Sequence, residues 1–165
     1  METSGSFEDQ LTATLPRLRR FAHALSRDRA DADDLTQMTI ERALQSRVQW
    51  QAGTRIDAWA YRIMRNLWID TMRSRTRKAK VEVPPEDAET IGHDPRDGIE
   101  AGIDLKRAMA AMERLPDEQR EVVALILVEG FGYRETAEML GLPIGTVSSR
   151  LVRGRNALLA LFGER

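Results

Sequence analysis

Two stretches of the chain carry side chains whose types and spacing suit contact with nucleic acid. In YRETAEMLGLPIGTVSSRLVRGR, Tyr133 to Arg155, the residues Ser149 and Arg153 fall on one helical face, with Thr146 and Ser148 on its flanks. In the stretch from Ile56 to Lys78, Arg62, Arg65, Asn66 and Arg73 share one side. Guanidinium groups neutralise phosphates, and short polar groups reach base edges. The chemistry offered is binding rather than bond-making. The chain has no cysteine, which excludes disulfides, thiolate metal sites and cysteine nucleophiles. His23 and His93 stand alone, with no Ser and acid at a useful spacing and no phosphate-cradling loop. No enzyme activity, metal or cofactor is expected.

Both stretches need rigid elements behind them. From about Tyr133 to Leu140 a short helix offers Ala137, Met139 and Leu140 for packing, and Gly141 supplies a left-handed end. Pro143 pre-sets the backbone for a second helix. At roughly 100° per residue, Val147, Leu151, Gly154 and Leu158 line its inner face. A helix pair with one buried and one polar face predicts a helix-turn-helix, against the plainer alternative of a helical hairpin with a solvated basic side.

The longer basic stretch predicts a helix over about 56–78, with Ile56, Ala60, Ile63, Met64 and Leu67 as its inner side. Its end, RSRTRKAK, holds Arg73, Arg75, Arg77, Lys78 and Lys80, five cations in eight residues. That exceeds what the helix dipole alone calls for. With Trp59, Tyr61 and Trp68 nearby, the pattern matches a nucleic-acid face.

Upstream, Leu11, Leu15, Leu18, Phe21, Ala22 and Leu25 recur at three- and four-residue steps from Phe7 to about Ser26, an amphipathic helix bent or restarted at Pro16. A second helix, roughly 30–46, draws its apolar surface from Leu35, Met38, Ile40 and Leu44. Asp31, Asp33, Asp34, Gln37 and Glu41 leave it an acidic, polar face, which the helix dipole explains for the three aspartates but less well for Gln37 and Glu41. Trp50 lies in a Gly53-containing loop, either as a core plug or as a stacking surface.

Between residues 81 and 102 the composition changes. Pro84, Pro85 and Pro95 interrupt the chain, and acids are opposed only by Arg96, which predicts a flexible acidic linker. A second helical domain, 103–165, follows. Leu105, Met109, Met112 and Leu115 stripe its first helix, and Pro116 with Asp117 and Glu118 starts another. That helix, with Val122, Val123, Leu125, Ile126 and Val128, is expected to be the most buried of this half, ending at Gly130 and Gly132. The fold class is therefore all-α, in two small domains. The net charge of −1 conceals basic and acidic segments that alternate along the chain. The polar, acidic start does not read as a signal peptide, and no apolar run spans a bilayer, so a cytoplasmic protein without membrane insertion is expected.

Three segments, DADDLTQMTIERAL, DAWAYRIMRNLWIDTMRSR and LPDEQREVVALILVEGFGYRETAEMLGLPIGTVSSRLVRGR, together resemble bacterial sigma factors of the extracytoplasmic-function (ECF) group of the sigma-70 superfamily, in that family's order and spacing. The resemblance implies that residues 1–80 form region 2, which grips core RNA polymerase and the promoter −10 element. It implies that residues 103–165 form region 4, which binds the −35 element. Carried over by position, Asp33, Asp34, Gln37 and Glu41 would contact core polymerase, with Met38 where relatives commonly have Glu. Trp50, Arg55, Arg62, Arg65, Asn66, Asp70 and Arg73 would engage −10 DNA, the loop from Trp50 to Arg55 pocketing a flipped base. Arg134, Thr146, Ser148, Ser149, Arg150 and Arg153 would contact the −35 element, with Ser148 where many relatives carry Arg, Lys or Met. Promoter DNA, core RNA polymerase and an anti-sigma factor in a stress response are the implied partners. The alternatives are a stand-alone helix-turn-helix regulator, which leaves the basic helix of the first half unexplained, and a sigma-like mimic that sequesters an anti-sigma factor.

Overall fold

The computed structural model describes the backbone of residues 5–81 and 100–163, and the side chains of 5–80 and 106–163. Most of the expected linker therefore lies outside the described residues. The described elements are helical. The first half holds α1 (Phe7–Ser26), α2 (Arg29–Gln45), a 3-10 turn (Arg47–Gln49) and α3 (Ile56–Val81). The second holds α4 (Glu100–Glu113), α5 (Asp117–Val123) with a π-helical turn (Ala124–Val128), α6 (Tyr133–Leu140) and α7 (Ile144–Gly163).

Local chemistry sets the helix ends. Ser6 and Asp9 form a reciprocal capping box that starts α1. The helix does not restart at Pro16. Pro16 and Thr12 are both exposed, so the carbonyl that loses its partner to the ring faces water. Arg27 reverses the chain with φ 60°, a conformation unusual for a residue other than glycine. Asp28 then caps α2 by accepting from the Asp31 N–H at 2.9 Å.

The three helices of the first half pack through Leu18, Phe21, Ala22, Leu35, Ala43, Ala60, Tyr61 and Met64, all nearly or fully buried. The buried face of α2 differs from the expected one. Ala32, Leu35, Thr36, Thr39 and Ala43 are buried, while Met38 and Leu44 are 41% and 47% exposed. The seam is one of small residues, which lets the helices approach closely. The two threonines enter it because their hydroxyls donate back to the Ala32 and Leu35 carbonyls, both at 2.7 Å, and so leave no polar group unpaired.

In the second half α5 packs on α7 and α6 closes against both the π turn and α7. Val122, Val123 and Leu125 are buried as expected, whereas Val128 is 43% exposed because the π turn rotates the end of this segment away from the core. Gly154 sits where α7 crosses α5. A Cβ there would lie 2.7 Å from Val123 Cγ2 and 3.4 Å from Gln119 Cβ. We expect Gly154→Val to lower the unfolding free energy by about 1–3 kcal/mol through overpacking. A denaturation midpoint at the wild-type value would show that the crossing is loose enough to absorb a side chain.

The halves share one continuous core. Phe131, 2% exposed, inserts from the loop before α6 and meets Tyr61 of α3 edge-on at 5.4 Å, and Tyr61 in turn meets Phe21 of α1 at 4.9 Å. This aromatic column crosses from one half to the other.

Candidate nucleic-acid and polymerase interface

The helix pair α6–α7 forms as the sequence predicts. Gly141 adopts φ 64°, and the Leu142 N–H returns to the Ala137 carbonyl at 3.0 Å. Val147, Leu151 and Gly154 are buried on one side of α7. Ser149 and Arg153 are exposed on the other, with Thr146 and Ser148 half-buried at the flanks. The Ser149 hydroxyl donates to the Thr146 carbonyl at 3.2 Å. Arg134 is exposed on α6. Arg150 turns inward, its guanidinium 3.7 Å from Glu118 of α5, so it braces the pair as well as bordering the outer face.

On α2, Asp33, Asp34, Gln37 and Glu41 are all exposed along one ridge, and the Gln37 amide donates to Glu41 at 3.4 Å. Met38, Leu44 and the 93% exposed Val48 lie on the outer surface of this helix and the following turn. Charged and apolar groups interleaved on one surface suit a protein partner better than a polyanion. Asp31, at the base of the ridge, belongs to the fold instead. Arg75 of α3 grips it bidentately at 2.6 and 2.9 Å, holding its carboxyl below the usual aspartate range, and stacks over Trp68 at 5.6 Å. One of the five clustered cations is thus structural. Arg73, Arg77, Lys78 and Lys80 are exposed, and Arg73 and Arg77 flank a shallow groove lined by Ile69, Met72 and Thr76.

Trp50 packs against Phe7 with ring centroids 5.5 Å apart, its indole N–H buried and without a hydrogen-bond partner among the described residues. It therefore anchors the loop on α1. Asn66 and Asp70 are exposed. The other three candidate −10 residues behave differently, because each reaches across to the second half. Arg55 Nη1 donates to Glu135 Oε2 at 2.9 Å and its guanidinium stacks 4.4 Å from the Phe131 ring. Arg62 Nη2 donates to the Glu138 carbonyl at 3.0 Å. Arg65 Nε donates to Glu121 Oε1 at 2.6 Å.

Behind them lies a charge cluster that the sequence does not announce. The Glu129 side chain is 1% exposed. Its carboxylate accepts from Arg17 Nε at 2.9 Å, from Arg20 Nε and Nη2 at 2.7 and 3.1 Å, and from the Tyr61 hydroxyl at 2.9 Å. Arg17 also donates to the Glu129 carbonyl at 3.0 Å and to Asp57 at 2.7 Å. Spacing could not reveal this, since Arg17 and Arg20 lie more than a hundred residues from Glu129 along the chain. An acid between a buried apolar run and a glycine is the sole local hint.

Burial works against the charge on Glu129, but hydrogen bonds from Arg20, Arg17 and Tyr61 outweigh it and hold its pKa below 4.5. Asp57 is likewise held below 3.8, burial being overcome by Arg55, the Ala58 N–H and Arg17. Glu121 moves the other way, raised by burial that Arg65 offsets only in part. A carboxylate whose pKa is depressed by packing contributes stability that is complete above its unperturbed value and is lost as pH falls through the depressed one. Acidification relieves a cost at Glu121, which partly offsets the other two. Stability from the Glu129 and Asp57 contacts is therefore expected to be level near neutrality and to fall below about pH 4.5. Denaturant unfolding between pH 6 and pH 3 checks this, and Glu129→Gln should flatten the acid limb.

Comparison with known proteins matches residues 11–78 to the family model "Sigma-70 region 2" and residues 105–158 to "Sigma-70, region 4". The chain is 38% identical over 164 residues to the ECF RNA polymerase sigma factor EcfG of Rhodopseudomonas palustris, covering 98% of this chain and 87% of that protein. It is 38% identical over 163 residues to the ECF sigma factor SigE of Mycolicibacterium smegmatis, covering 93% of this chain and 60% of that protein. Among solved structures, the sigma factor RpoE in complex with the anti-sigma factor NepR from Bartonella quintana aligns with a TM-score of 0.83 at 33% identity, covering 96% of this chain and 98% of that one.

Proposed function

The chain belongs to the sigma-70 family, in its ECF group, and from that premise we propose how its surfaces divide the work of starting transcription. The exposed ridge of α2, with Asp33, Asp34, Gln37 and Glu41, docks on core RNA polymerase. The outer side of α3, with Arg62, Arg65, Asn66, Asp70 and Arg73, and the loop from Trp50 to Arg55 hold the −10 element. Ser148, Ser149 and Arg153 of α7, with Thr146, Arg134 and Arg150 at the border, enter the major groove at the −35 element. The observation that carries this reading is the pairing, on one chain, of a basic helix with a helix-turn-helix whose polar face points outward.

The chain itself catalyses nothing in this scheme. It lowers the cost of opening the duplex by binding unpaired bases. Extruding a base costs a few kcal/mol, which stacking and edge hydrogen bonds can offset. Each domain alone binds DNA weakly. Fixed on core polymerase, both act at once and the second contact becomes intramolecular, with the gain in effective concentration that a suitable span gives.

An anti-sigma factor is proposed as the regulatory partner. The likeness to RpoE held by NepR runs over both halves together, which supports a partner that grips the packed arrangement. Run-off transcription with core polymerase on a library of genomic fragments tests the function. Discrete start sites should arise only when core and this chain are both present. Tight, specific promoter binding by the chain alone would instead favour a stand-alone regulator.

A further inference from the structure

We propose that Phe7, at the head of α1, is a specificity-determining positioning residue, which acts through the loop from Trp50 to Arg55 and sets how that loop meets −10 DNA. The proposal rests on the sigma reading above and deepens its −10 part. Phe7 is the first residue of α1, yet it is 6% exposed. Its ring meets Trp50 at 5.5 Å and, edge-on, Trp59 of α3 at 5.9 Å. The Arg47 guanidinium covers the same ring from 5.4 Å and donates to Glu8, the next residue of α1. Arg47 opens the 3-10 turn that leads into the loop, and Trp50 follows its last residue. The head of α1 thus grips the loop entry at both ends of that turn. The loop exit is held further along the same helix, where Arg17 donates to Asp57 at 2.7 Å.

Between these two clamps the tip stands clear of the fold. Gln51, Ala52, Gly53 and Thr54 are all exposed, and Gly53 has φ 89°. Thr54 closes the turn by donating to the Gln51 carbonyl, from its N–H at 3.2 Å and from its hydroxyl at 2.6 Å. Those bonds fix the shape of the tip, while its position and angle follow from the anchors. A site carried on a loop is as precise as the side chains that support it. Trp50 packs inward on Phe7, so it serves as the tether and leaves the tip to face an unpaired base. A correct base gains the contacts of a loop held in place. A wrong base gains none, whether the loop is held or not. Loosening the loop therefore weakens the correct base alone and compresses the preference for it.

Phe7→Leu keeps an apolar side chain in the site and removes both ring contacts. The test is run-off transcription with core polymerase on promoters randomised across the −10 element. With Phe7→Leu the preference at one −10 position should fall about tenfold, because each aromatic pair lost is worth up to roughly that factor in the population of the anchored loop. Preferences at the other −10 positions, and competition for core, should stay at wild-type values. Glu8→Gln with Arg47→Gln removes the covering ion pair and should lower the same preference by about threefold. Leu25→Ala controls for lost stability. It removes a buried side chain near the other end of the 20-residue α1, about 27 Å from Phe7, and should leave the −10 profile unchanged. The native sequence has no cysteine, so a nitroxide on Ala52→Cys reports the tip alone in the free full chain. Its spectrum should sharpen with Phe7→Leu and not with Leu25→Ala, and far-UV dichroism confirms that each variant retains its helices. The proposal is overturned if Phe7→Leu leaves the −10 profile as it was, or flattens every position alike. It is overturned too if Leu25→Ala flattens the same position, or if the nitroxide is indifferent to Phe7. The nitroxide needs neither polymerase nor promoter. A wild-type chain with a sharp −10 profile and an indifferent nitroxide sinks the anchor and spares the sigma reading. A wild-type chain that directs no transcription while the nitroxide responds sinks that reading, and the specificity role with it.

Discussion

Arg62→Ala combined with Arg73→Ala is expected to reduce open-complex formation by about two orders of magnitude while competition for core polymerase stays near wild type. Each charged hydrogen bond lost is worth roughly 1.5–3 kcal/mol, and every 1.4 kcal/mol is tenfold. Both side chains are exposed on α3, away from the α2 ridge, so their removal leaves the proposed polymerase contact in place. Arg62 also donates to the Glu138 carbonyl. Losing that bond removes one contact between the two halves and leaves the α2 ridge untouched. A deficit in promoter opening therefore reports lost DNA contact. Permanganate footprinting of the melted region measures the first effect, and displacement of another sigma factor from core measures the second. Collapse of core affinity would mean that this face of α3 has been assigned to the wrong partner. Exchange of Asp34 and Gln37 should give the converse pattern, weak competition for core. The salt dependence offers an independent check, since each phosphate contact removed should lower the slope of log affinity against log salt by about one.

Arg120→Met is expected to destabilise the protein by about 2–4 kcal/mol, because it takes a donor from the Ala24 and Leu115 carbonyls and a buried acceptor left unpaired costs roughly 1–3 kcal/mol. Arg120 is 2% exposed, and burial lowers its pKa, countered by Asp117. It donates to the Leu115 carbonyl at 2.9 Å, to Asp117 at 2.5 Å and to the Ala24 carbonyl of α1. Methionine fills much of the volume and satisfies none of these oxygens. For a chain of this length the midpoint of thermal unfolding should fall by about 10 °C. Arg120→Lys should recover only part of the loss, because one ammonium cannot reproduce a planar fork aimed at several acceptors. A variant within 1 kcal/mol of wild type would show that the apolar contacts of α5 already fix the junction. Glu121, one residue along the same helix, meets Arg65 rather than Arg120, so the two cross-half contacts can be separated by mutation.

Periodicity was enough to place most helices, because a helix that must bury one side leaves a three- and four-residue rhythm. Val147, Leu151 and Gly154 lie inside as their spacing requires, and Gly141 ends α6 in the left-handed conformation that its type permits. The polar stripes of α3 and α7 were equally legible, since exposure of Arg73 and Arg153 follows from the burial of the opposite faces. Where the rhythm misled, the reason is local chemistry. Thr36 and Thr39 read as polar, yet their hydroxyls are satisfied within α2 and they pack inward, while Met38 and Leu44 read as apolar and face out. The π turn at Ala124–Val128 shifts the register of its last residues in a way no apolar count anticipates.

The amino-acid sequence by itself determined the all-helical class, the helix-turn-helix, the basic and acidic faces and the family. All of these depend on residues near one another along the chain, where helical geometry converts spacing directly into position. Only the tertiary structure decided what those faces meet. Glu129 finds Arg17 and Arg20, and Arg55 and Arg62 find α6, across separations at which the sequence carries no distance information. A free arginine and one already paired with a carboxylate are the same letter. Their difference lies in the packing of two distant segments, which pairs Arg55, Arg62 and Arg65 of the first half with oxygens of the second.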